Sequence, residues 1–378
     1  MIYLDYAATS FKKPEAVYAA VESVLRRGAS VGRGGYPASR FSAERVYACR
    51  EELKRLFSAP SEDAVVFTYN ATMALNMAIK GLLPAGGDVV ISGYEHNAVV
   101  RPLKALERRG VRFTVANAPL FDADAQLDAF RRQITPQTAL AVCVHVSNVF
   151  GYILPIEGID AICAEAGVPL VIDASQSAGN VALDMSRLHA TRFICAPGHK
   201  GLYGPQGTGV LICRNGEAAT LIEGGTGSDS RSYDQPAFLP DRFEAGTLNA
   251  AGIAGLCEGV RFVNRIGVSR ILAHERGLIA QANEALSRIP GVRTFYGGGE
   301  TQAGVLSFAV EGIPCETVAE RLAAGGIAVR AGLHCAPLAH RTAGTLENGT
   351  VRVSVSAFSS AGDITALALA VRAATRTF

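Results

Sequence analysis

Between residues 65 and 213 the chain repeats one rhythm: a short β-rich apolar run, then a stretch with helical spacing. The β-rich runs lie at 65–68, 89–92, 112–116, 139–146, 170–173, 193–196 and 209–213. Helical stretches near 72–83, 97–109, 123–133 and 157–166 separate the first five. Strands that alternate with helices are joined by crossovers, which set the strands parallel and cover both faces of their sheet. The rhythm therefore predicts an α/β fold built on a mostly parallel, seven-stranded sheet. Ligands of such sheets bind beyond the carboxyl ends of the strands, so chemistry is expected just after each run.

Polar clusters stand at those places. Tyr69-Asn70-Ala71-Thr72 follows the first run and opens a helix, where free amides and a hydroxyl suit a phosphate. Glu95-His96-Asn97 follows the second, Ser147-Asn148 the fourth and Asp173-Ala174-Ser175-Gln176 the fifth. His199-Lys200 follows the sixth, on a turn made of Pro197, Gly198, Gly201, Gly204, Pro205 and Gly207. A lysine held on a rigid turn between apolar strands is placed to form a Schiff base with a carbonyl compound. Singly, each cluster has a bland reading: Thr72 as a helix cap, His96 as a loop histidine, Lys200 as a surface charge. Five clusters on one rim favour a site.

The remainder frames this unit. Helices are expected over 14–28 and 39–58, with an irregular loop at 30–37. Residues 215–249 form a long Gly- and Ser-rich segment, and segments of that length in compact chains tend to be functional. From about 250 the pattern changes to helices near 250–264, 269–288, 315–324 and 363–375. Strands are expected near 292–296, 304–311, 326–330 and 350–356, a smaller α+β unit, with the boundary at about 250–266. A net charge of +2 argues against nucleic acid or an anionic membrane as main partner. The apolar run 139–156 is interrupted by His145 and Asn148, so no membrane span is expected. The first residues lack the pattern of a signal peptide. The eight cysteines include no CxxC pair, which fits a reducing cytoplasm. No metal site is expected.

Taken in order, Leu4-Asp5-Tyr6-Ala7-Ala8-Thr9, Asn70-Ala71-Thr72, Glu95-His96, Asp173–Gln176, Gly198-His199-Lys200, 243–247 and 330–335 resemble the motifs of cysteine desulfurases. These are class V aminotransferases of pyridoxal phosphate (PLP) fold type I. The resemblance covers nearly the whole chain. It implies a large PLP-binding domain over 15–250, and a small domain of 1–14 and 251–378 carrying the nucleophilic cysteine.

Residue by residue, the resemblance makes Lys200 the Schiff-base lysine and proton carrier, Asp173 the partner of the pyridinium nitrogen, and His96 the stacking ring. Gln176 and Asn148 would meet the phenolic oxygen, Asn148 also the substrate carboxylate. Ala71, Thr72 and His199 would hold the phosphate. Thr247 would reach the phosphate of a partner subunit, implying a homodimer. Arg352 would clamp the carboxylate of L-cysteine, a task suited to a bidentate guanidinium, with Arg330 as a further substrate-binding residue. Cys335 would take the substrate's sulfur as a persulfide, releasing L-alanine, with Arg330 and His334 supplying positive charge that favours its thiolate.

Cys335 and Arg352 stand 17 positions apart. That short spacing resembles the group with a compact cysteine loop, whose members often need an acceptor protein. Tyr36, Pro197 and Ala71 depart from the family: the first stands where relatives often have histidine, the others where many carry hydroxyls. Alternatives within the fold are a selenocysteine lyase, a cysteine sulfinate desulfinase or a transaminase. Outside catalysis, the alternative is a scaffold for sulfur trafficking.

Overall fold

The computed structural model describes residues 1–32, 34–83, 87–214 and 216–375; Arg33 of the 30–37 loop and residues 376–378 of the C-terminal range lie outside them. The chain opens with β1 (Ile2–Tyr3) and helices α1 (Glu15–Arg27) and α2 (Pro37–Phe57). The alternating unit follows: β2 (Ala64–Thr68), α3 (Ala71–Leu82), β3 (Asp88–Ser92), α4 (Asn97–Leu106), β4 (Arg112–Ala116), α5 (Ala123–Gln133), β5 (Thr138–Val144), α6 (Ile156–Glu165), β6 (Leu170–Asp173), β7 (Thr191–Pro197) and β8 (Gly209–Cys213). These strands form one seven-stranded sheet in the order β2-β8-β7-β6-β5-β3-β4. The five from β7 to β4 pair in parallel, and β8 runs antiparallel to both β7 and β2. The reversal follows from the Gly- and Pro-rich turn at 197–207, which has no crossover helix and sends the chain straight back.

Both faces of the sheet are apolar because both are covered. Alternate residues of each strand serve opposite sides: Val65, Phe67, Cys143, Ile172, Ile194 and Ile212 face one core, and Val66, Val142, Val171, Phe193, Leu211 and Cys213 the other. Helices α2, α5 and α6 pack on the first side, α3 and α4 on the second.

After residue 249 come α7 (Ala250–Ile266), α8 (Val268–Ser287), β9 (Val292–Phe295), β10 (Val305–Val310), α9 (Cys315–Ala324), β11 (Ile327–Ala328), β12 (Arg330–Gly332), α10 (Pro337–Thr342), β13 (Thr350–Ser354) and α11 (Ala361–Ala374). A four-stranded sheet has the order β12-β13-β10-β9, and β1 pairs in parallel with β11. The strand expected near 326–330 is thus two strands, one in each small sheet. Helix α7 lies against α1 and α2 and sends Ile253, Leu256 and Val260 into the first core. Among the described residues of 215–249 there is no helix or strand.

Residues 4–10 matter most for the site. Ser354 of β13 donates its N–H to the Leu4 carbonyl at 2.8 Å and accepts the Ala7 N–H on its hydroxyl at 2.8 Å. Ser10 then donates its N–H to the His199 carbonyl at 2.8 Å. The N-terminal arm therefore runs from the small sheet to the turn that carries Lys200.

Candidate active site

The polar clusters meet at the carboxyl ends of the parallel strands. Asp173 ends β6 and is buried, with Oδ1 accepting the Ser175 N–H at 2.9 Å. His96 follows β3 and caps α4, its Nδ1 accepting the Ala98 N–H at 3.0 Å. That bond fixes the ring, and Nε2 has no hydrogen-bond partner among the described residues. Burial pushes the imidazole down to about 4, and the charges of Lys200, Arg330 and Arg101 push the same way against Asp173. His96 is a neutral ring at working pH, suited to stacking on a flat ligand.

Lys200 follows β7 and lines a small polar cavity with Tyr6, Gln176, Asn180 and Ser356. Burial pulls its amine down to about 8. Arg352 and Arg330 add to the fall, and Asp173 and Asp5 oppose it. A lysine with a substantial neutral fraction near neutral pH can attack a carbonyl. The turn beneath it needs glycine: a Cβ at Gly201 would come within 2.4 Å of the Ala178 carbonyl oxygen.

At the start of α3 the cap is Asn70, whose side chain accepts the Met73 N–H at 2.9 Å; Thr72 lies inside the first turn. The Ala71 and Thr72 amides have no carbonyl a turn earlier in the helix to bond, and so can meet an anion. Gly209 of β8 lies against this turn, where a Cβ would come within 2.6 Å of the Asn70 carbonyl carbon. His199 bonds the Thr9 hydroxyl through Nδ1 at 3.0 Å. Burial, with Lys200 and Lys13 nearby, pushes it down to about 4, so it is neutral.

Gln176 donates through Nε2 to the Ala7 carbonyl at 2.9 Å, one of its two N–H groups. Asn148 donates to the His334 carbonyl at 2.7 Å, and its buried Oδ1 has no partner among the described residues. Thr247 is exposed and lines a cleft with Thr68, Tyr69 and Gly207, beside the start of α3.

The thiol sits on a strained turn. His334 and Cys335 both have positive φ, 49° and 58°, a region that costs non-glycine residues about 1–2 kcal/mol each. Asn148 at the His334 carbonyl and the Asn97 N–H on the Cys335 carbonyl at 2.8 Å hold them there. Cys335 is exposed, whereas the other seven cysteines are buried. Cys315, for example, donates to Glu316 and to the Asn348 carbonyl, and burial pushes its thiol up to about 11. Arg330 reaches the Cys335 Sγ at 3.6 Å. His334 does not join it as a cation. It is buried, bonds the Thr350 carbonyl through Nε2 at 3.1 Å, and is pushed down to about 2 by burial and the charge of Arg352. The expectation of two positive neighbours for the thiol is corrected to one, Arg330.

Arg352 lies opposite Arg330 in the β12–β13 register. It is 1% exposed, donates to Asp5 at 2.7 Å and to the Asn148 carbonyl at 2.9 Å, and its Nε has no partner among the described residues. The sequence reading assigned no role to the arm residues Asp5, Ala7 and Thr9, although the first motif contained them. The assembled site offers an amine, a carboxylate, a neutral ring, an anion cradle, a guanidinium and an exposed thiol.

A family model, aminotransferase class-V, matches residues 2–367. A probable cysteine desulfurase of Xylella fastidiosa is 36% identical over 347 residues, 89% of this chain and 82% of that protein. One of Methanothermobacter thermautotrophicus is 34% identical over 373 residues, 96% of this chain and 92% of that protein. Among solved structures, the apo cysteine desulfurase of Thermococcus onnurineus superposes with a TM-score of 0.90 at 31% identity, covering 98% of this chain and 94% of that one. The Escherichia coli cysteine desulfurase CsdA, in an S-sulfonic acid form, superposes with a TM-score of 0.87 at 29% identity over the same shares. The architecture is that of PLP fold type I, and the chain belongs to the aminotransferase class-V family, as do these cysteine desulfurases to which it is similar over most of its length.

Proposed function

We propose that this protein is a PLP-dependent cysteine desulfurase that turns L-cysteine into L-alanine and leaves the sulfur on Cys335 as a persulfide. The observation that carries the reading is the meeting of an exposed Cys335, 3.6 Å from Arg330, with Arg352 in register on the next strand. Arg330 thus links the thiol to Arg352, the group proposed to bind the substrate carboxylate, and both guanidiniums act on Lys200.

The residues fit the cofactor. Lys200 with its pKa near 8 would carry it, Asp173 would face its ring nitrogen, and neutral His96 would lie on its face. The free amides of Ala71 and Thr72, with His199, would hold the phosphate, with Gln176 and Asn148 at the phenolic edge. When bound, PLP supplies an electron sink for charge developing at the substrate's Cα. Arg352 and Asn148 orient the substrate carboxylate. Lys200 takes and returns the Cα proton. Arg330 favours the Cys335 thiolate, which bonds to the substrate sulfur as the Cβ–S bond breaks. The carbon takes up a proton and leaves as alanine. One substrate thiol and one enzyme thiol become one C–H bond and one persulfide, with no outside oxidant.

We further propose a homodimer in which Thr247 serves the partner's phosphate, acting in the cytoplasm and passing sulfur to an acceptor protein. Among the described residues no helix is long and apolar enough to cross a membrane. The proposed domains are 15–250, and 1–14 with 251–378; the arm's pairing with β11 and β13 supports joining the two ends.

The test is product analysis with a reductant present, using L-cysteine and L-selenocysteine in parallel. Equal alanine and sulfide from L-cysteine are expected. Turnover of an amino acid–keto acid pair without sulfide would replace the reading by a transaminase.

A further inference from the structure

Arg352 is a buried cation with an unfinished set of partners. A guanidinium has five N–H donors in a planar fork. Here one terminal nitrogen donates to Asp5 Oδ1 at 2.7 Å and the other to the Asn148 carbonyl at 2.9 Å, while the buried Nε has no partner among the described residues. An orphaned donor on a group 1% exposed is a costly omission unless a ligand completes it.

The charges around it are also uneven. Arg330 and Arg352 are direct partners across the β12–β13 pair, and like charges so placed repel. Asp5 is the only acid in a salt bridge with either of them among the described residues. Its position is set by β13 itself, since Ser354, two residues beyond Arg352, holds both the Leu4 carbonyl and the Ala7 N–H. One carboxylate against two guanidiniums leaves one positive charge, which an incoming carboxylate would balance. Burial and Arg330 weaken the protonation of Arg352, and Asp5 sustains it.

We propose that Asp5 is the positioning residue of the carboxylate clamp: it fixes the Arg352 guanidinium so that the Nε edge receives the substrate carboxylate. This rests on Arg352 being the substrate-carboxylate group. Asp5 touches no reacting atom; its side chain bonds Arg352, and its charge is also felt at Lys200.

The test is a double-mutant cycle on the PLP-loaded enzyme. KM and kcat for L-cysteine are measured for Asp5→Ala, Asp5→Asn, Arg352→Ala and both double variants. Binding of the product L-alanine is read separately, from protection of Cys335 against iodoacetamide. Asp5→Ala is expected to raise KM and weaken L-alanine binding by about tenfold or more, with kcat held within about threefold, the size of losing a charge-assisted bond. Asp5→Asn keeps an oxygen without the charge and should fall between. In the Arg352→Ala background either change should alter KM by less than about twofold. If Asp5→Ala does not fold, Asp5→Asn carries the cycle. An undiminished effect in the Arg352→Ala background, a loss confined to kcat, or no effect overturns the proposal. An Arg352→Ala variant with unchanged KM overturns the clamp reading itself and the proposal with it, a result separate from the others.

Discussion

Glu95 offers a direct test of how burial sets charge at this site. It is fully buried, and its Oε1 accepts the Ser92 hydroxyl at 2.6 Å and the Val144 N–H at 2.7 Å. Its Oε2 has no partner among the described residues. Burial, with the nearby charge of Asp173, raises the carboxyl from 4.5 to about 8 despite those two bonds. The folded protein therefore binds a proton that the unfolded chain releases above about pH 4.3. For a raised carboxyl the stabilising contribution is complete below the unfolded value and is lost as pH climbs through the folded one. Each unit is about 1.4 kcal/mol, so the full span is on the order of 5 kcal/mol. Glu95→Gln removes this titration while keeping an acceptor for Ser92 and Val144. Its amide nitrogen adds unpartnered N–H groups, a pH-independent offset of about 1–3 kcal/mol. The slope is therefore the diagnostic, not the offset. Urea denaturation of both proteins at one concentration, from about pH 5.5 to about pH 7.5, should show the variant gaining on wild type by about 1.4 kcal/mol per pH unit. Glu275 also has a strongly raised carboxyl, but it titrates alike in both proteins and cancels. Parallel curves would refute the neutral Glu95.

Three further outcomes test the proposed roles. In cofactor-free protein, reductive methylation of Lys200 should follow an amine titrating near pH 8. Asp173→Asn should move that midpoint lower, because Asp173 holds it up; an unmoved midpoint contradicts the electrostatics. Cys335→Ser should keep the cofactor and bind L-cysteine, yet lose sulfide release by about a hundredfold or more, since a hydroxyl is a far weaker nucleophile than a thiolate; release near the wild-type rate would remove Cys335 from the mechanism. Mixing inactive Lys200→Ala and inactive Thr247→Ala subunits should restore one site per heterodimer, and a fully active monomer would contradict the shared site.

The strands of the large sheet were legible because period-2 alternation and helical spacing are local signals. The expected run at 112–116 is β4 to the residue, and 123–133 is α5. Local signals failed where a partner distant in sequence decides the structure. The two-residue β1 exists because β11 receives it, and the 326–330 run divides because its halves meet β1 and β13. The cap of α3 was not legible for a finer reason. Asn70 and Thr72 are both able to cap, and only the backbone shows which precedes the first turn. Helix α10, six residues long, is too short for a periodic pattern to declare itself.

Charge state was the least legible property, and it governs what the site can do. The sequence reading made His334 a cation beside the thiol, and sequence alone leaves open the charge of His96, His199 and Glu95. Burial moves all four to neutrality, the histidines to about 4, 4 and 2 and the glutamic acid to about 8. The formal charges left near Lys200 are Asp5 and Asp173 against Arg330 and Arg352. Asp5 pairs with Arg352 and Arg330 faces the thiol, and all four act on Lys200, the two acids holding its amine up and the two guanidiniums pushing it down. A charge added by a histidine in this low-dielectric space would act on all of them together. Suppressing the optional charges leaves the lysine to these four groups and ties it to the thiol through one of them, Arg330, so that a change at Arg330 is felt at both.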